Sequence, residues 1–190
     1  MQTLFSLDPV LPEGFTYVPD FIGPEEEDAL LAAIRAEELK PMLFQGYEAK
    51  RRVASYGADW SFERRALSPG RPIPAPFRPL LERVAAFAGL PAARFGELLL
   101  TEYPPVSVIN WHRDAPPFEL IAGVSLAADC NFRLRPYDNA LQGRKSIRSI
   151  TVARRSLYLM QGAARSEWEH STAPVAGTRY SITLRTLYEK

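Results

Sequence analysis

The sequence predicts an α+β fold, with helices in the first half of the chain and a β-sandwich or jelly roll in the second half. Apolar residues recur at helical spacing in two segments before residue 90. After residue 97, short strand-like segments alternate with turn residues, a pattern typical of sandwiches and jelly rolls. We therefore expect one domain over residues 1–190, with a helical region over about 1–97 and a jelly-roll core over about 98–190.

Length and composition indicate an ordinary globular protein. The chain has 190 residues, 46% hydrophobic and 24% charged, which is enough to bury a core. A net charge of +1 excludes binding of polyanions by bulk charge but leaves local basic patches open. The single cysteine, Cys130, cannot form an intramolecular disulfide, which favours a reducing compartment. Because no signal peptide or membrane span is evident, we expect a cytoplasmic protein without a membrane partner.

The N-terminal half is predicted to hold a strand at 15–18 and helices at 24–38 and 79–88. Pro24 and the three glutamates after it mark a helix start, because proline suits the first turn and carboxylates suit the positive end of the helix dipole. The apolar positions of this first helix recur at helical spacing: Leu30, Leu31 and Ile34. This narrow stripe favours packing on a larger core over a membrane or partner helix.

Basic and aromatic side chains interleave between residues 45 and 65. Such a mixture suits an exposed nucleotide, because cations contact phosphates and aromatic faces stack on bases. It also suits a plain amphipathic hairpin, which is the more frequent cause of such a pattern. The candidate substrate contacts in this segment are Arg52, Tyr56 and Trp60.

Eight strands are expected in the second half, enough to close a barrel. Their predicted bounds are 98–103, 106–112, 121–127, 131–135, 146–152, 156–160, 167–171 and 179–187. One face of the last strand carries Arg179, Ser181, Thr183 and Arg185, and the other carries Tyr180, Ile182 and Leu184. Guanidinium groups bind carboxylates bidentately, so this polar face is a candidate carboxylate site. A strand with one face in water gives the same alternation.

A His-x-Asp pair ends the apolar segment 101–114. Successive strand residues point to opposite faces, so His112 and Asp114 project the same way. Imidazole plus carboxylate suits Fe(II), and a second histidine would complete a facial triad. The chain has one other histidine, His170, which is therefore the candidate third ligand. Taken alone, such a pair more often forms ordinary surface hydrogen bonds.

The order of these residues resembles the AlkB family of Fe(II)- and 2-oxoglutarate-dependent dioxygenases. The resemblance covers roughly residues 101–187, and its motifs are Tyr103, His112-x-Asp114, His170 and Arg179-x-Ser181-x-Thr183-x-Arg185. The segment RRSLYLMQGAARSEWEHS is similar to the family's stretch before its distal histidine. The segment RRVASYG resembles the family's nucleotide-recognition lid, which would lie in the region 1–97.

The resemblance implies a double-stranded β-helix with N-terminal helices packed on one sheet. It implies that His112, Asp114 and His170 hold Fe(II), and that these three residues form the catalytic centre. It also implies 2-oxoglutarate and O2 as co-substrates.

The same resemblance implies a binding site for 2-oxoglutarate on the last strand. The far carboxylate of 2-oxoglutarate is expected against Arg179, with help from Tyr103. Ser181 and Thr101 stand where the repair members have asparagines, and we expect both to contact the co-substrate. Arg185 is expected to hold the co-substrate or to orient a metal ligand.

The function implied by the resemblance is oxidative demethylation of alkylated bases in DNA or RNA, as in DNA repair. The repair branch has acidic residues after the metal pair, whereas this chain has alanine and two prolines at 115–117. Hydroxylation or demethylation of tRNA or protein is therefore the alternative. Trp168 shares a face with His170 and is a further candidate stacking residue. We expect a monomer with no obligate protein partner.

Two other classes of protein remain open from the sequence. A non-catalytic jelly-roll module that binds a ligand or metal needs neither an open metal position nor a paired arginine strand. A zinc hydrolase with the same ligands gives Arg179 no role.

Overall fold

A computed structural model describes residues 10–44, 47–61 and 63–189. The helices and strands in chain order are β1 (Phe15–Val18), α1 (Pro24–Arg35), β2 (Lys40–Phe44), β3 (Tyr47–Ser61), β4 (Ala66–Pro69), α2 (Arg78–Phe87), β5 (Phe95–Tyr103), β6 (Ile109–His112), β7 (Phe118–Leu126), β8 (Cys130–Pro136), β9 (Arg148–Val152), β10 (Leu157–Met160), α3 (Gly162–Ser166), β11 (Trp168–Thr172) and β12 (Arg179–Leu187). The eight expected strands correspond to β5 through β12.

Two antiparallel sheets form a jelly roll. The large sheet has the strand order β1-β10-β7-β12-β5-β3-β2, with β4 paired to β3, and the small sheet has the order β6-β11-β8-β9. Side chains from both sheets share one apolar cluster, in which Tyr158 of the large sheet stacks near Phe132 of the small sheet. The predicted fold, a jelly roll in an α+β chain, is confirmed.

Side chains alternate between the two faces of the large sheet, so the two faces pack against different parts of the protein. On β12, Ile182 and Leu184 belong to the same apolar cluster as Ile34 of α1 and Val84 of α2. The helices therefore cover one face, as predicted, and the opposite face looks into the jelly roll. No helix in the described ranges combines the length and apolarity needed to cross a membrane.

The N-terminal part differs from its prediction in two respects. Helix α1 ends at Arg35 rather than at residue 38, and the amide of Ala36 closes its last turn on the carbonyls of Ala32 and Ala33. Strands β1 and β3 pair with β10 and β5, so the region 1–97 contributes strands to the large sheet. The expected division near residue 97 falls inside β5, which spans Phe95–Tyr103. The two regions are not separate layers, because strands from the first half of the chain pair with jelly-roll strands.

Glu27 ties α1 to the segment before β10. Its side chain is 0% exposed and accepts hydrogen bonds from Arg154 Nη2 at 2.6 Å and from the amide of Ala127 at 2.8 Å. Burial raises the pKa of Glu27, but the bonds from Arg154 and Ala127 outweigh burial and hold the pKa below its usual value. The carboxylate therefore stabilises the fold at neutral pH, and this contribution is lost as the pH falls through the lowered pKa.

We expect Glu27→Gln to lower the free energy of unfolding by about 2 kcal/mol at pH 7, because the buried side chain at position 27 loses the charge that strengthens its bonds from Arg154 and Ala127. Denaturant unfolding of both proteins at pH 7 and near pH 3 measures this effect. The difference between them should shrink at the lower pH. An equal difference at both pH values would show that packing, rather than charge, is responsible.

Candidate metal centre and co-substrate site

Three potential metal ligands meet where β6 and β11 pair. His112 lies directly opposite His170 in the antiparallel register, and the centroids of their rings are 4.2 Å apart. Asp114 is the second residue after the end of β6 and lies on the same side as His112. One ligand atom from each of the three side chains lies within 4.8 Å of the others. The structure therefore brings together the three residues that the sequence proposes as ligands.

Both histidines present a nitrogen lone pair to this centre. The Nδ1 atom of His112 is 2.9 Å from the carbonyl oxygen of Asn110, which places the proton on Nδ1 and leaves Nε2 facing Asp114 Oδ1 at 3.8 Å. The His170 ring stacks on Phe132. Burial and the neighbouring His112 lower the pKa of His170 to about 3, so His170 is neutral at pH 7. A neutral imidazole is the form that binds a metal ion.

Asp114 supplies the anionic ligand. Its side chain is 8% exposed, and Arg185 Nε donates to Asp114 Oδ2 at 3.2 Å. Burial raises the pKa of Asp114, but the charge of Arg185 and the nearby histidines outweigh burial and hold the pKa well below its usual value. The carboxylate is thus ionised at neutral pH, with Oδ2 engaged by Arg185 and Oδ1 directed to His112.

The donor set fits a divalent iron. Two neutral imidazoles and one carboxylate form the facial ligand set that leaves positions open for a co-substrate and oxygen. The carboxylate supplies one negative charge, and the imidazole tautomer of His112 is fixed by a backbone carbonyl, as is usual for metal-binding histidines. His112, Asp114 and His170 are therefore the residues that would hold Fe(II).

Arg179 is a buried cation without an anionic partner in the described part of the chain. Its side chain is 3% exposed, Nε donates to Ser125 Oγ at 2.9 Å, and Cζ lies 4.9 Å from the centroid of the Tyr103 ring. The groups that act on its charge are the side chains of Tyr103, Tyr158 and Cys130, and no carboxylate is among them. A buried guanidinium that lacks a counter-ion is costly. The site therefore fits a small carboxylate ligand such as the far end of 2-oxoglutarate.

A row of hydroxyl groups lies beside Arg179 on the same face of the large sheet. Ser181 is directly opposite Thr101 on β5 and opposite Ser125 on β7. All three side chains are buried. Thr101 and Ser181, the two residues expected in place of the asparagines, thus lie next to the Arg179–Tyr103 pair and offer hydroxyl donors to a ligand there.

Arg185 is linked to the metal centre through the side chain of Asp114. Its Nε and Nη1 donate to Asp114 and to Glu97, the latter at 2.5 Å. Burial lowers the pKa of Arg185, but these two carboxylates outweigh burial and raise the pKa, so Arg185 stays charged. Of the two roles expected for Arg185, its contacts favour orientation of a metal ligand over co-substrate binding, because Nε and Nη1 already donate to protein carboxylates.

The structure does not bring two of the expected substrate contacts, Tyr56 and Arg52, to the metal centre. Tyr56 is 2% exposed, belongs to the apolar cluster on the helix side, and its hydroxyl donates to Glu37. Burial and Glu37 raise the pKa of Tyr56 to about 12. Arg52 lies on the same face of β3 and donates to the carbonyl oxygen of Leu39 at 2.9 Å. Both side chains therefore face the helices rather than the metal centre.

The other two candidates, Trp60 and Trp168, lie on the side of the metal centre. Both are partly buried and pack against the apolar cluster between the sheets. Trp168 is two residues before His170 on β11 and shares its face. Their contact with a substrate stays a prediction.

Sequence reasoning missed two charged residues that support the ligands. Arg165 of α3 is buried and donates to the backbone carbonyls of Asp114, Ala115 and Phe118, at distances of 3.1, 2.7 and 3.0 Å. Backbone contacts of this kind leave no pattern in the sequence. Glu97 lies one residue before the strand predicted to begin at residue 98, and only a strand extended to residue 97 shows that Glu97 shares a face with Thr101 and Tyr103.

Comparison with known proteins gives one family match. The profile of the 2OG-Fe(II) oxygenase superfamily matches residues 14–185. Among curated proteins, the Arabidopsis thaliana "Alkylated DNA repair protein ALKBH8 homolog" is 29% identical over 178 residues, covering 83% of this chain and 50% of that protein. The Arabidopsis thaliana "DNA oxidative demethylase ALKBH2" is 31% identical over 136 residues, covering 57% of this chain and 43% of that protein.

A third curated relative, the Xenopus tropicalis "tRNA (carboxymethyluridine(34)-5-O)-methyltransferase alkbh8", is 27% identical and covers 88% of this chain and 26% of that protein. The chain spans half or less of the length of these curated relatives. Among solved structures, OsALKBH1 superposes with a TM-score of 0.73 at 11% identity, covering 93% of this chain and 99% of that one. A Pseudomonas putida prolyl-4-hydroxylase superposes with a TM-score of 0.65 at 16% identity, covering 92% and 93%. At these identities the solved structures share the fold alone.

Proposed function

Because this chain belongs to the 2OG-Fe(II) oxygenase superfamily, we propose that it is an AlkB-type dioxygenase that uses Fe(II), 2-oxoglutarate and O2 to demethylate alkylated bases in DNA or RNA. In this proposal His112, Asp114 and His170 are the iron ligands. Arg179 and Tyr103 hold the far carboxylate of 2-oxoglutarate, with Thr101 and Ser181 beside them.

One structural observation carries the catalytic part of the proposal. The three-ligand cluster lies on the same side of the large sheet as a buried arginine that has no counter-ion among the described residues. A binding module has no use for both features, and a zinc hydrolase has no use for the arginine. An oxygenase that couples substrate oxidation to decarboxylation of a keto-acid requires both.

The protein's own residues position and shield the reaction. When bound, iron together with 2-oxoglutarate and O2 supplies an oxidant able to hydroxylate a methyl group, with succinate and carbon dioxide as co-products. Arg179 binds the co-substrate by charge, Arg185 fixes Asp114, and Arg165 fixes the backbone that carries Asp114. The apolar cluster between the sheets limits the access of water. A hydroxymethyl group on a base nitrogen then decomposes to formaldehyde and the unmodified base.

The proposed substrate class is supported by the names of the relatives. All three of those curated relatives are named for action on DNA or tRNA. The two prolines at 116–117 replace the acidic residues expected in the repair branch, so RNA is the variant that this chain favours within the nucleic-acid class. Hydroxylation of a protein is the competing substrate class.

The outer face of the small sheet supports a polyanionic substrate. Arg135 and Arg133 place their guanidinium carbons 4.4 and 5.2 Å from the centroid of the Trp111 ring, and Arg113 lies 3.5 Å over Tyr137. The strands and loop of this face, residues 111–113, 131–151 and 167–169, contain six basic and three acidic side chains, whereas the whole chain has a net charge of +1. Stacking holds these guanidinium planes in place. Arg135 Nε donates to Glu169 and Arg113 Nη1 donates to the carbonyl oxygen of Ser166, so phosphates are offered the other N–H groups of these two side chains.

We expect the Arg133→Gln/Arg135→Gln variant to bind single-stranded RNA of about 20 nucleotides roughly 10-fold more weakly and with a shallower salt dependence. Each lost phosphate contact lowers the slope of log affinity against log salt by about 0.7. Fluorescence anisotropy at several salt concentrations measures both quantities. The matched control is Arg35→Gln/Arg78→Gln, which removes the same charge from the helical face. An equal loss of RNA affinity in both variants would show that the outer face of the small sheet is not the RNA-binding surface.

The experiment that tests the proposed function is incubation of the enzyme with Fe(II), 2-oxoglutarate and separate pools of methylated DNA, RNA and peptides. Mass spectrometry follows loss of methyl groups, and succinate is measured in parallel. The matched control is Asp114→Asn, which keeps the size of the ligand and removes its charge. We expect methyl loss from a nucleic-acid pool, absent in the control. Turnover confined to peptides would overturn the substrate class, and absence of succinate in every pool would overturn the enzyme assignment.

A further inference from the structure

Glu97 is a buried carboxylate that is linked to Asp114 through Arg185. The proposed mechanism gives Glu97 no role. Its side chain belongs to β5 and is 4% exposed. We propose that Glu97 is a positioning residue, which holds Arg185 so that Arg185 engages only one oxygen of Asp114 and leaves the other oxygen for the metal ion. The proposal deepens the proposed function and rests on Asp114 being an iron ligand.

The contacts of Glu97 form a continuous chain from β3 to the metal ligand. Ser55 Oγ donates to Glu97 Oε1 at 3.4 Å, and Arg185 Nη1 donates to Glu97 Oε2 at 2.5 Å. Arg185 Nε then donates to Asp114 Oδ2 at 3.2 Å. The chain crosses from the large sheet to the segment after β6, so it connects the two sheets at the point where the ligands meet.

Backbone register makes this arrangement rigid. Arg185 lies directly opposite Glu97 in the β12–β5 pairing, and the pairing shifts register at the next residue. The pair therefore sits at the end of the regular ladder with a fixed separation between its backbones. Only 12% of the Arg185 side chain is exposed, so its guanidinium has few other positions to adopt.

Charge explains why a second carboxylate is needed. A guanidinium that faces a single carboxylate prefers a bidentate fork, with both oxygens accepting parallel N–H bonds. In that geometry both oxygens of Asp114 would accept from Arg185, and each would have only its remaining lone pair for a cation. Glu97 accepts from Nη1 and so fixes the orientation of the guanidinium, which reaches Asp114 Oδ2 through Nε, while Asp114 Oδ1 faces His112 Nε2 at 3.8 Å.

An ion pair with a purely structural role would be buried in the same way, but its loss would leave the metal affinity unchanged. Glu27 provides that comparison, because it is also a buried carboxylate bonded to arginine and lies in the joint between α1 and β10. Loss of either carboxylate should destabilise the fold. Only loss of Glu97 should also change the metal affinity, since partners that orient a metal ligand typically change the affinity by about 10- to 100-fold.

The test uses Mn(II) as a probe in the full chain without turnover. The affinity is measured by titration followed with electron paramagnetic resonance, and the thermal midpoint is recorded for each protein. The variants are Glu97→Gln, which keeps an acceptor for Arg185, and Glu97→Ala, which removes it. Ser55→Ala removes the other partner of Glu97 at little risk to the fold. Glu27→Gln is the control for loss of a buried carboxylate elsewhere.

We expect the Mn(II) affinity to fall about 10-fold in Glu97→Gln, further in Glu97→Ala, and by a smaller factor in Ser55→Ala, with no change in Glu27→Gln. At saturating Fe(II), the KM for 2-oxoglutarate should stay at the wild-type value in all Glu97 variants that fold. An unchanged Mn(II) affinity in Glu97→Gln, or in Ser55→Ala if that variant alone folds, would overturn the positioning role. A wild-type protein that does not bind Mn(II) would instead overturn the proposed metal centre.

Discussion

His170→Ala is expected to abolish metal binding and succinate formation while the chain stays folded. His170 supplies one of three protein ligands and is the residue opposite His112 in the β6–β11 pair. Two remaining ligands cannot retain a divalent ion against water with comparable affinity, so we expect a loss of activity of at least about 1000-fold. The fold should survive, because the removed ring is stacked on Phe132 at the mouth of the cluster rather than forming its centre.

Three measurements check this expectation: succinate by mass spectrometry, Mn(II) binding, and the thermal midpoint. Ser171→Ala is the matched control, since Ser171 is the next residue of β11 and points to the opposite face. The control should keep metal binding and turnover. Wild-type turnover in His170→Ala would mean that another residue is the third ligand.

Arg179→Gln is expected to raise the KM for 2-oxoglutarate by about 10- to 100-fold and to leave the affinity for the metal unchanged. A bidentate, charge-assisted bond from a buried guanidinium to a carboxylate contributes about 1.5–3 kcal/mol, and glutamine cannot provide it. The effect should be specific for the far carboxylate of the co-substrate. A 2-oxo acid that lacks this carboxylate should be a poor co-substrate for the wild type and an equally poor one for the variant.

The relevant measurement is the KM of each 2-oxo acid in the wild type and in Arg179→Gln. Ser125→Ala is the matched control, because it removes the hydroxyl that accepts from Arg179 Nε and keeps the charge. We expect it to change the KM for 2-oxoglutarate several-fold less than Arg179→Gln does. If Arg179→Gln discriminated between the two acids as strongly as the wild type, the far carboxylate would bind elsewhere.

Local sequence patterns were sufficient to predict the jelly-roll strands and to propose as metal ligands three residues that the structure brings together. The alternation in β12 separates Arg179 and Arg185 from Ile182 and Leu184, and the structure places these two groups on opposite faces. The His-x-Asp spacing is also a local feature, because two residues apart on a strand means one face. A protein with only two histidines leaves little choice for the remaining ligand.

The orientation of β3 could not be predicted from its own residues. Basic and aromatic side chains alternate there on both faces, so local pattern does not decide which face meets the helices. Pairing with β5 decides it, and the register sets Tyr56 opposite Leu98 and Arg52 opposite Glu102, with Tyr56 and Leu98 in the helix-side cluster. This register is long-range information, so the residues of β3 alone do not show that Tyr56 and Arg52 face away from the metal centre.

The supporting charges of the site also depend on contacts between distant segments. Glu97 precedes the expected start of its strand at residue 98, so its place in the alternation was not apparent. Arg165 belongs to the five-residue helix α3, which is too short to give a periodic signal. Arg165 contacts Asp114 directly and Glu97 contacts it through Arg185, and both lie in segments that no sequence pattern links to Asp114.

The central claim is that His112, Asp114 and His170 hold an iron ion that 2-oxoglutarate also binds, with Arg179 at its far end. The most direct measurement is the visible absorption spectrum of the protein with Fe(II) and 2-oxoglutarate in the absence of oxygen. We predict a charge-transfer band that requires both components, disappears in His170→Ala, and needs a higher concentration of 2-oxoglutarate in Arg179→Gln. A wild-type protein that stays colourless at saturating Fe(II) and 2-oxoglutarate would contradict the account.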